Sequence, residues 1–406
     1  MKLRLFIIFF SCCFVNASIA QVNPFAISEA GLDFVTGQAL FEKTWVSAPS
    51  STKASDGLGP LYNARSCAQC HFEAGRGTLA DGLNFRINSD FLGQQIQSSA
   101  ISGLPAEAQV DISYSSIVEK LPDSTEVVLK IPRYFFTNVQ TESGKAGIGQ
   151  TEIEQAEIIE FSPRFAPALF GVGLLETIPL TELLAKEDPE DLNDDGISGK
   201  AGSGRYGWKA DVINLEEQTG QALSLDLGIS SELFPNPFGD CTQLQHYCLS
   251  RPNGASRQDQ NLEIGPPAFA SLLFFIRNIP LPIVNVDNIY SAGKVVFENI
   301  GCQSCHQSGY MQGTVNPYSD LLLHDMGDAL ADTSDDELSH EWRTPPLWGL
   351  SAYQQIDEQY YLHDGRATSL LEAILWHGGE AERSKQAFKA LSTTEREDLI
   401  NFLQSI

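Results

Sequence analysis

The chain has 406 residues, with 52 acidic side chains against 26 basic ones and a formal charge of −26 at pH 7. That excess repels a phosphate backbone, so it argues against nucleic acid as a partner and for a basic one, such as an electron-transfer protein. The length is too great for one small core and predicts two domains.

Residues 1–20 open with Lys2 and Arg4, continue as an apolar run from Leu5 to Val15, and end in Ser18-Ile19-Ala20. This is the pattern of a signal peptide cleaved before Gln21, which predicts export to the periplasm. No later stretch is long and apolar enough to predict a membrane span. Eight cysteines are present. Two fall in the leader, four form two CxxC pairs, and Cys241 and Cys248 remain to make a disulfide around His246.

In chain order, Ile27 to Trp45 has helical spacing, and Asp56 to Asn63 is turn-rich. Cys67-Ala68-Gln69-Cys70-His71 follows, then a flexible segment from Glu73 to Gly77. Residues 83–160 alternate like short strands and loops, and Ser162 to Glu176 reads as an apolar, helix-like core wall. Asp191-Leu192-Asn193-Asp194-Asp195-Gly196 has the oxygen spacing of a calcium loop, with Asp191, Asn193 and Asp195 as side-chain ligands. Gly202 stands where a bidentate Glu would close it. Gln260 to Asn278 is again helical, and Pro280 and Pro282 then break the chain. A helix from Ser291 to Asn299 delivers it to Cys302-Gln303-Ser304-Cys305-His306.

A CxxCH run attaches haem c through two thioether links, and its histidine takes one axial position on the iron. Structural zinc sites and thioredoxin-like pairs usually lack a nearby second CxxC or the trailing His. Two covalently bound haem c groups are expected, on Cys67, Cys70 and His71 and on Cys302, Cys305 and His306. The predicted fold is mainly α with irregular loops and a few short strands. Its two cytochrome c-like domains span 21–282 and 283–406.

Further axial ligands are unevenly spread. Between His71 and Pro280 the only other candidate is His246, whereas the second domain holds Met311, His324, Met326, His340, His363 and His377. The first haem is therefore open, capped by His246, or capped from the other domain. For the second haem, Ser369 and Glu372 suit a helix N-terminus and Gly378 a stop. Leu370, Ala373, Ile374 and His377 then share one face, which makes His377 the preferred ligand and Met326 its rival.

The stretches Leu322-Leu323-His324-Asp325-Met326-Gly327, Trp342-Arg343-Thr344-Pro345-Pro346-Leu347-Trp348-Gly349 and Tyr361-Leu362-His363-Asp364-Gly365-Arg366 resemble the di-haem oxidoreductase family. So does Glu372 to Glu380. This family is related to bacterial di-haem cytochrome c peroxidases and MauG. The resemblance implies a second-haem ligand at a fixed distance beyond Tyr361, a Met or Tyr in the peroxidases, and here His377. It also implies a Gln and a Glu above the peroxide-binding haem, for which Gln94, Gln95 and Glu107 are the candidates. The function it implies passes electrons from the C-terminal haem to a small oxidant such as hydrogen peroxide at the N-terminal one. The competing expectations are a pure electron carrier and an accessory protein in iron uptake or cofactor maturation.

Overall fold

The computed structural model describes residues 29–140, 160–256, 259–283, 289–333, 337–355 and 358–406. The leader expected over residues 1–20 lies outside them. Among the described residues no helix is long and apolar enough to cross a membrane.

Helix accounts for about 34 % of the chain and strand for about 18 %, in keeping with an irregular fold led by helices. The helices that matter to the site are α1 (Glu29–Glu42), α2 (Leu215–Leu227), α3 (Pro266–Arg277), α4 (Ile289–Asn299), α5 (Leu370–Trp376) and α6 (Thr393–Leu403). Two of them pack on a distant partner in the same manner. Where α1 meets α3, a Cβ on Gly37 would stand 2.0 Å from the Ser271 carbonyl oxygen, and where α4 meets α6, a Cβ on Gly293 would stand 2.0 Å from that of Asp398. Only glycine lets the backbones come so close.

Local sequence explains the helix ends. Pro266 and Pro267 occupy the first positions of α3, where a missing N–H costs nothing, so the helix starts there and not at Gln260. Ser392 and Glu395 form a full capping box at the start of α6. In α5 the Ser369 hydroxyl accepts from Glu372 N (3.1 Å), but the Glu372 carboxylate reaches back to Thr368 N (3.0 Å), one residue further than a capping box requires.

Strands β1 (Leu83–Ser89), β2 (Gly93–Gln95) and β5 (Phe161–Phe165) make an antiparallel sheet in the order β2-β1-β5. Between them runs a hairpin of two long strands, β3 (Gln109–Lys120) and β4 (Glu126–Thr137), where short strands were expected. At its base, Tyr134 and Phe136 pack on Phe85. At its tip, Leu121 and Leu129 join the core of Phe388, Leu399 and Phe402. Glu119 pairs there with Lys389 (2.6 Å), and Asp123 with Arg396.

The helix-like reading of Ser162 to Glu176 is overturned. Phe161–Phe165 is a strand and Val172–Thr177 a 3₁₀ turn. Pro163 and Pro167 remove the amides a continuous helix would use, while Phe165, fully buried, fills the sheet's inner face.

Two main cores result. One gathers Phe41, Trp45, Leu223, Leu272 and Phe275, and takes Tyr310 and Leu321 from beyond Pro282. The other gathers Phe297, Leu370, Phe388 and Phe402, and takes Leu121 and Leu129 from the hairpin.

Candidate haem-binding site

A single cavity of about 720 Å³ reaches both CxxCH motifs. The first motif is one helical turn, Cys67–Cys70, capped by the Ser66 hydroxyl on Gln69 N (3.2 Å). The second is a 3₁₀ turn entered through Gly301 at φ 89°, a left-handed conformation that suits glycine. All four cysteines are free, whereas Cys241 and Cys248 are joined as expected.

The two histidines are oriented alike. His71 Nδ1 donates to the Pro167 carbonyl (2.8 Å) and His306 Nδ1 to the Tyr318 carbonyl (3.0 Å). With Nδ1 carrying the proton, each Nε2 presents its lone pair to a metal. Burial lowers both pKa values to about 4, which keeps the rings neutral at pH 7. Each ring also has a phenylalanine at 6.4 Å, Phe41 from α1 and Phe297 from α4. Both phenylalanines lie four residues beyond the crossing glycine, so Gly37-x₃-Phe41 and Gly293-x₃-Phe297 form a repeat that sequence reading missed.

Burial has the opposite effect on the thiols. Cys67 and Cys302 are pushed up to about 12, and Cys70 and Cys305 are raised as well. Zinc sites and reactive CxxC pairs need thiolate, so these surroundings oppose both alternatives and suit a thioether, which has no proton to lose.

Opposite His306 stands His377, the C-cap of α5, with ring centres 6.4 Å apart. A metal held between the two Nε2 atoms by bonds of about 2 Å each would fit that separation. His377 Nδ1 donates to the Ala373 carbonyl (2.8 Å), again freeing Nε2. Leu370, Ala373, Ile374 and His377 all face the cavity, as the helical spacing predicts.

The rivals are placed differently. His324 has both ring nitrogens bonded, to Asp320 (2.9 Å) and Glu380 (2.6 Å), and His340 bonds Ser339 and Asp328. Met326 lines the cavity, whereas Met311 lies off it and is partly exposed. Around the first motif, His246 lies on an exposed turn off the cavity wall, so it does not cap that site. Among the described residues no imidazole pairs with His71 as His377 pairs with His306.

Of the residues proposed above the first haem, Gln94 and Gln95 line the cavity and Glu107 does not. Glu107 is fully buried behind it, accepting from Gln245 Nε2 (2.6 Å) and Gln97 N (2.8 Å). The wall also carries Asp226, Asn84 and Arg86, which sequence reading did not single out. The one available signal was an acid inside the apolar run Leu223 to Ile229.

The rest of the wall tests what the cavity fits. In a chain so acidic, it presents Arg76, Arg86, Arg164 and Arg343. Burial lowers Arg343 to about 10, against the opposing pull of Tyr206, Asp211 and Asp320. Arg76 Nε and His363 Nε2 are buried there without a hydrogen-bond partner. His363 itself lies flat on Trp342, with ring centres 3.5 Å apart. Apolar walls, arginine side chains and imidazoles with Nε2 turned away from their backbone partners together fit a planar, metal-bearing group with carboxylate arms.

The calcium expectation rests on a loop whose oxygens already serve the backbone. Asp191 Oδ1 accepts from Asp195 N (3.0 Å), Asn193 Oδ1 from the same amide (2.9 Å) and Asp195 Oδ1 from Ile197 N (2.9 Å). Among the described residues, the one group of three His, Cys, Asp or Glu ligand atoms lying within 4.8 Å of one another is that of Cys305, Asp320 and His324.

The family described as "Di-haem oxidoreductase, putative peroxidase" matches residues 16–94 and 94–406. No curated protein matches. A solved structure of hydrazine synthase from Kuenenia stuttgartiensis, pressurised with 20 bar xenon, overlaps 91 % of this chain and 92 % of that one at 14 % identity. Its TM-score of 0.39 marks a likeness too loose to carry a site across. The family match spans nearly the whole chain, and the cavity fits what its description names: the chain belongs to the di-haem oxidoreductase family.

Proposed function

We propose that this is an exported, periplasmic c-type oxidoreductase that reduces hydrogen peroxide at its first haem site, with electrons entering through the second from a basic donor protein. The observation that carries this reading is the asymmetry between the sites: His306 faces His377, whereas among the described residues no imidazole pairs with His71 in this way. Bound at these motifs, haem supplies two one-electron redox centres, one of them with a coordination position for a small ligand.

The chain's own residues do the rest. Cys67 with Cys70, and Cys302 with Cys305, hold the groups as thioethers in two cytochrome c-like domains. His306 and His377, with ring centres 6.4 Å apart, would hold the second group from both sides and suit it to outer-sphere transfer. In the cavity that His71 also lines, α2 presents Gln218, Thr219, Ala222 and Asp226, small or polar groups suited to a ligand of peroxide size. The leader pattern and the disulfide Cys241–Cys248 both support export, because disulfides persist in oxidising compartments. Calcium at Asp191, Asn193 and Asp195 belongs to the same proposal.

The test uses half-reduced protein, with electrons supplied to the higher-potential centre before peroxide or cyanide is added. A high-spin signal assigned to the His71 site, ligand binding there and turnover with an electron donor are expected. Low-spin iron at both sites, with no ligand bound in either redox state, would return the protein to the class of pure electron carriers.

A further inference from the structure

We infer that Asp226 is the catalytic acid–base group of the first site, with Gln95 and Asn84 as its positioning residues. The inference rests on the peroxide reading above and names the group that moves the proton.

Asp226 is enclosed by protein, yet it opens onto the cavity beside Cys67 and Cys70, and its charge acts on both thiols. It therefore lies toward the edge where the cofactor is attached. Asp226 Oδ1 accepts from Gln95 Nε2 (2.8 Å) and from Asn84 Nδ2 (3.1 Å), two neutral donors that fix the carboxyl without cancelling its charge. No protein hydrogen bond to Oδ2 is seen among the described residues. The backbone is held just as firmly, since the Asp226 carbonyl accepts from Asn63 N (2.8 Å) and Ala64 N (3.0 Å), four and three residues before Cys67.

The second unit gives an internal reference. There α5 ends in His377, which looks across at His306. In the first unit α2 also lines the cavity, and its last turn carries Asp226 there. A carboxylate is a poor axial ligand for haem iron but an effective proton carrier.

Reduction of peroxide breaks one O–O bond and converts H₂O₂, two electrons and two protons into two waters. The electrons come one at a time from a reduced donor protein, by way of the second site. Asp226 takes the proton from the oxygen that approaches the open face of the His71 site. It returns that proton to the other oxygen, which leaves as the first water; the oxygen left behind becomes the second water with the two electrons and with two protons taken up from solvent. Gln95, expected from sequence to be catalytic, then acts through Asp226.

Burial raises the Asp226 pKa, opposed by Arg86 on β1 and by the Gln95 hydrogen bond. Cys67 and Cys70, the other titratable groups close to it, cease to titrate as thioethers. A raised value means that the carboxylate is lost as pH falls through a point above the ordinary Asp range. The acid limb of the rate profile should therefore lie above that of a solvated carboxyl.

The experiment compares Asp226→Asn and Asp226→Glu with the unaltered full chain, both haems attached. Haem content by mass and the low-spin signal of the second site show whether each variant folds. Hydrogen cyanide must lose a proton as it binds, so its association rate reads the base without turnover. In Asp226→Asn, peroxide turnover should fall by about 100-fold or more. Cyanide association should slow and lose its acid limb, and Asp226→Glu should restore most of both. If the unaltered protein binds neither cyanide nor peroxide, the peroxide reading fails. If it binds both, and Asp226→Asn binds cyanide with an unchanged pH profile and turns over peroxide within a few-fold, Asp226 has no such role. If Asp226→Asn loses haem, Gln95→Leu decides. It removes the donor to Oδ1 and should shift the acid limb; an unshifted limb overturns the assignment.

Discussion

The two halves of this protein begin from the same parts. In each, a helix crosses a distant partner at a glycine, a phenylalanine four residues later stands 6.4 Å from a CxxCH histidine, and a backbone carbonyl holds that histidine's Nδ1. They differ in what was placed between those parts. In the second half the orienting carbonyl, Tyr318, lies 12 residues after His306, whereas in the first Pro167 lies 96 residues after His71. The long insertion carries the small sheet and the β3–β4 hairpin, whose tip packs on the second half. The first site thereby gains a polar wall from β1 and β2, while the second keeps a compact helical one and gains His377. One shared scaffold thus surrounds both CxxCH motifs, and the difference lies in the residues that line the cavity around each histidine.

The largest expected effect concerns the shared part. Cys302→Ala with Cys305→Ala should leave one covalent haem by mass spectrometry of the denatured protein. Cys67→Ala with Cys70→Ala should leave the other, and the unaltered chain should carry two. A chain matured with a working attachment system that carries one haem or none would break the equivalence at its base.

Next comes the difference. His377→Ala removes a strong-field imidazole, so one low-spin signal should disappear while haem content is retained. Met326→Ala should leave that signal in place. The reverse outcome would hand the ligand role to Met326 and undo the contrast drawn from the His306–His377 spacing.

The glycines sharpen the comparison further. At both Gly37 and Gly293 an alanine Cβ would fall 2.0 Å from a backbone oxygen, so the crossing helices must move apart. Overpacking of this kind costs about 1–3 kcal/mol, occasionally more. Gly37→Ala and Gly293→Ala should each lower the midpoint of thermal unfolding. A shift in one alone would show that the two crossings are not under equal constraint.

What the sequence reveals follows the same division. The second site was readable because its parts are close together: Ser369, the apolar stripe of α5 and His377 fall within nine residues of one another, and helical periodicity places them on one face. Of the first site's wall Gln94 and Gln95 were readable, whereas Asn84 and Asp226 were not, because they lie on elements that meet Gln95 only through tertiary packing. Its helix-like apolar stretch proved to be a short strand followed by a 3₁₀ turn because Pro163 and Pro167 outweighed composition. The Gly-x₃-Phe repeat was present in the letters, but it stands 26 residues before Cys67 and only five before Cys302, so no fixed period exposes it.

The smallest expected effect falls on the loop that joins the halves. Ser198 Oγ, two residues past Gly196, donates to Glu380 Oε1 (2.7 Å), and Glu380 Oε2 accepts from His324 Nδ1 (2.6 Å) beside the second CxxCH motif. If Asp191, Asn193 and Asp195 take calcium, the ion would fix the strand of chain that makes this connection. With Gly202 in place of a closing Glu, affinity should fall in the weak class, with Kd of about 10⁻⁴–10⁻³ M. A tenfold excess over Kd then stabilises the folded state by about 1.4 kcal/mol by mass action. Added calcium should raise the unfolding midpoint slightly, and a chelator should reverse the rise. Asp191→Ala should abolish the response, while haem content stays at two. A midpoint indifferent to chelator, with no metal found by elemental analysis, would make the loop an acidic turn stabilised by its own amides, and the two halves would then be linked here by the Ser198–Glu380 hydrogen bond without an ion.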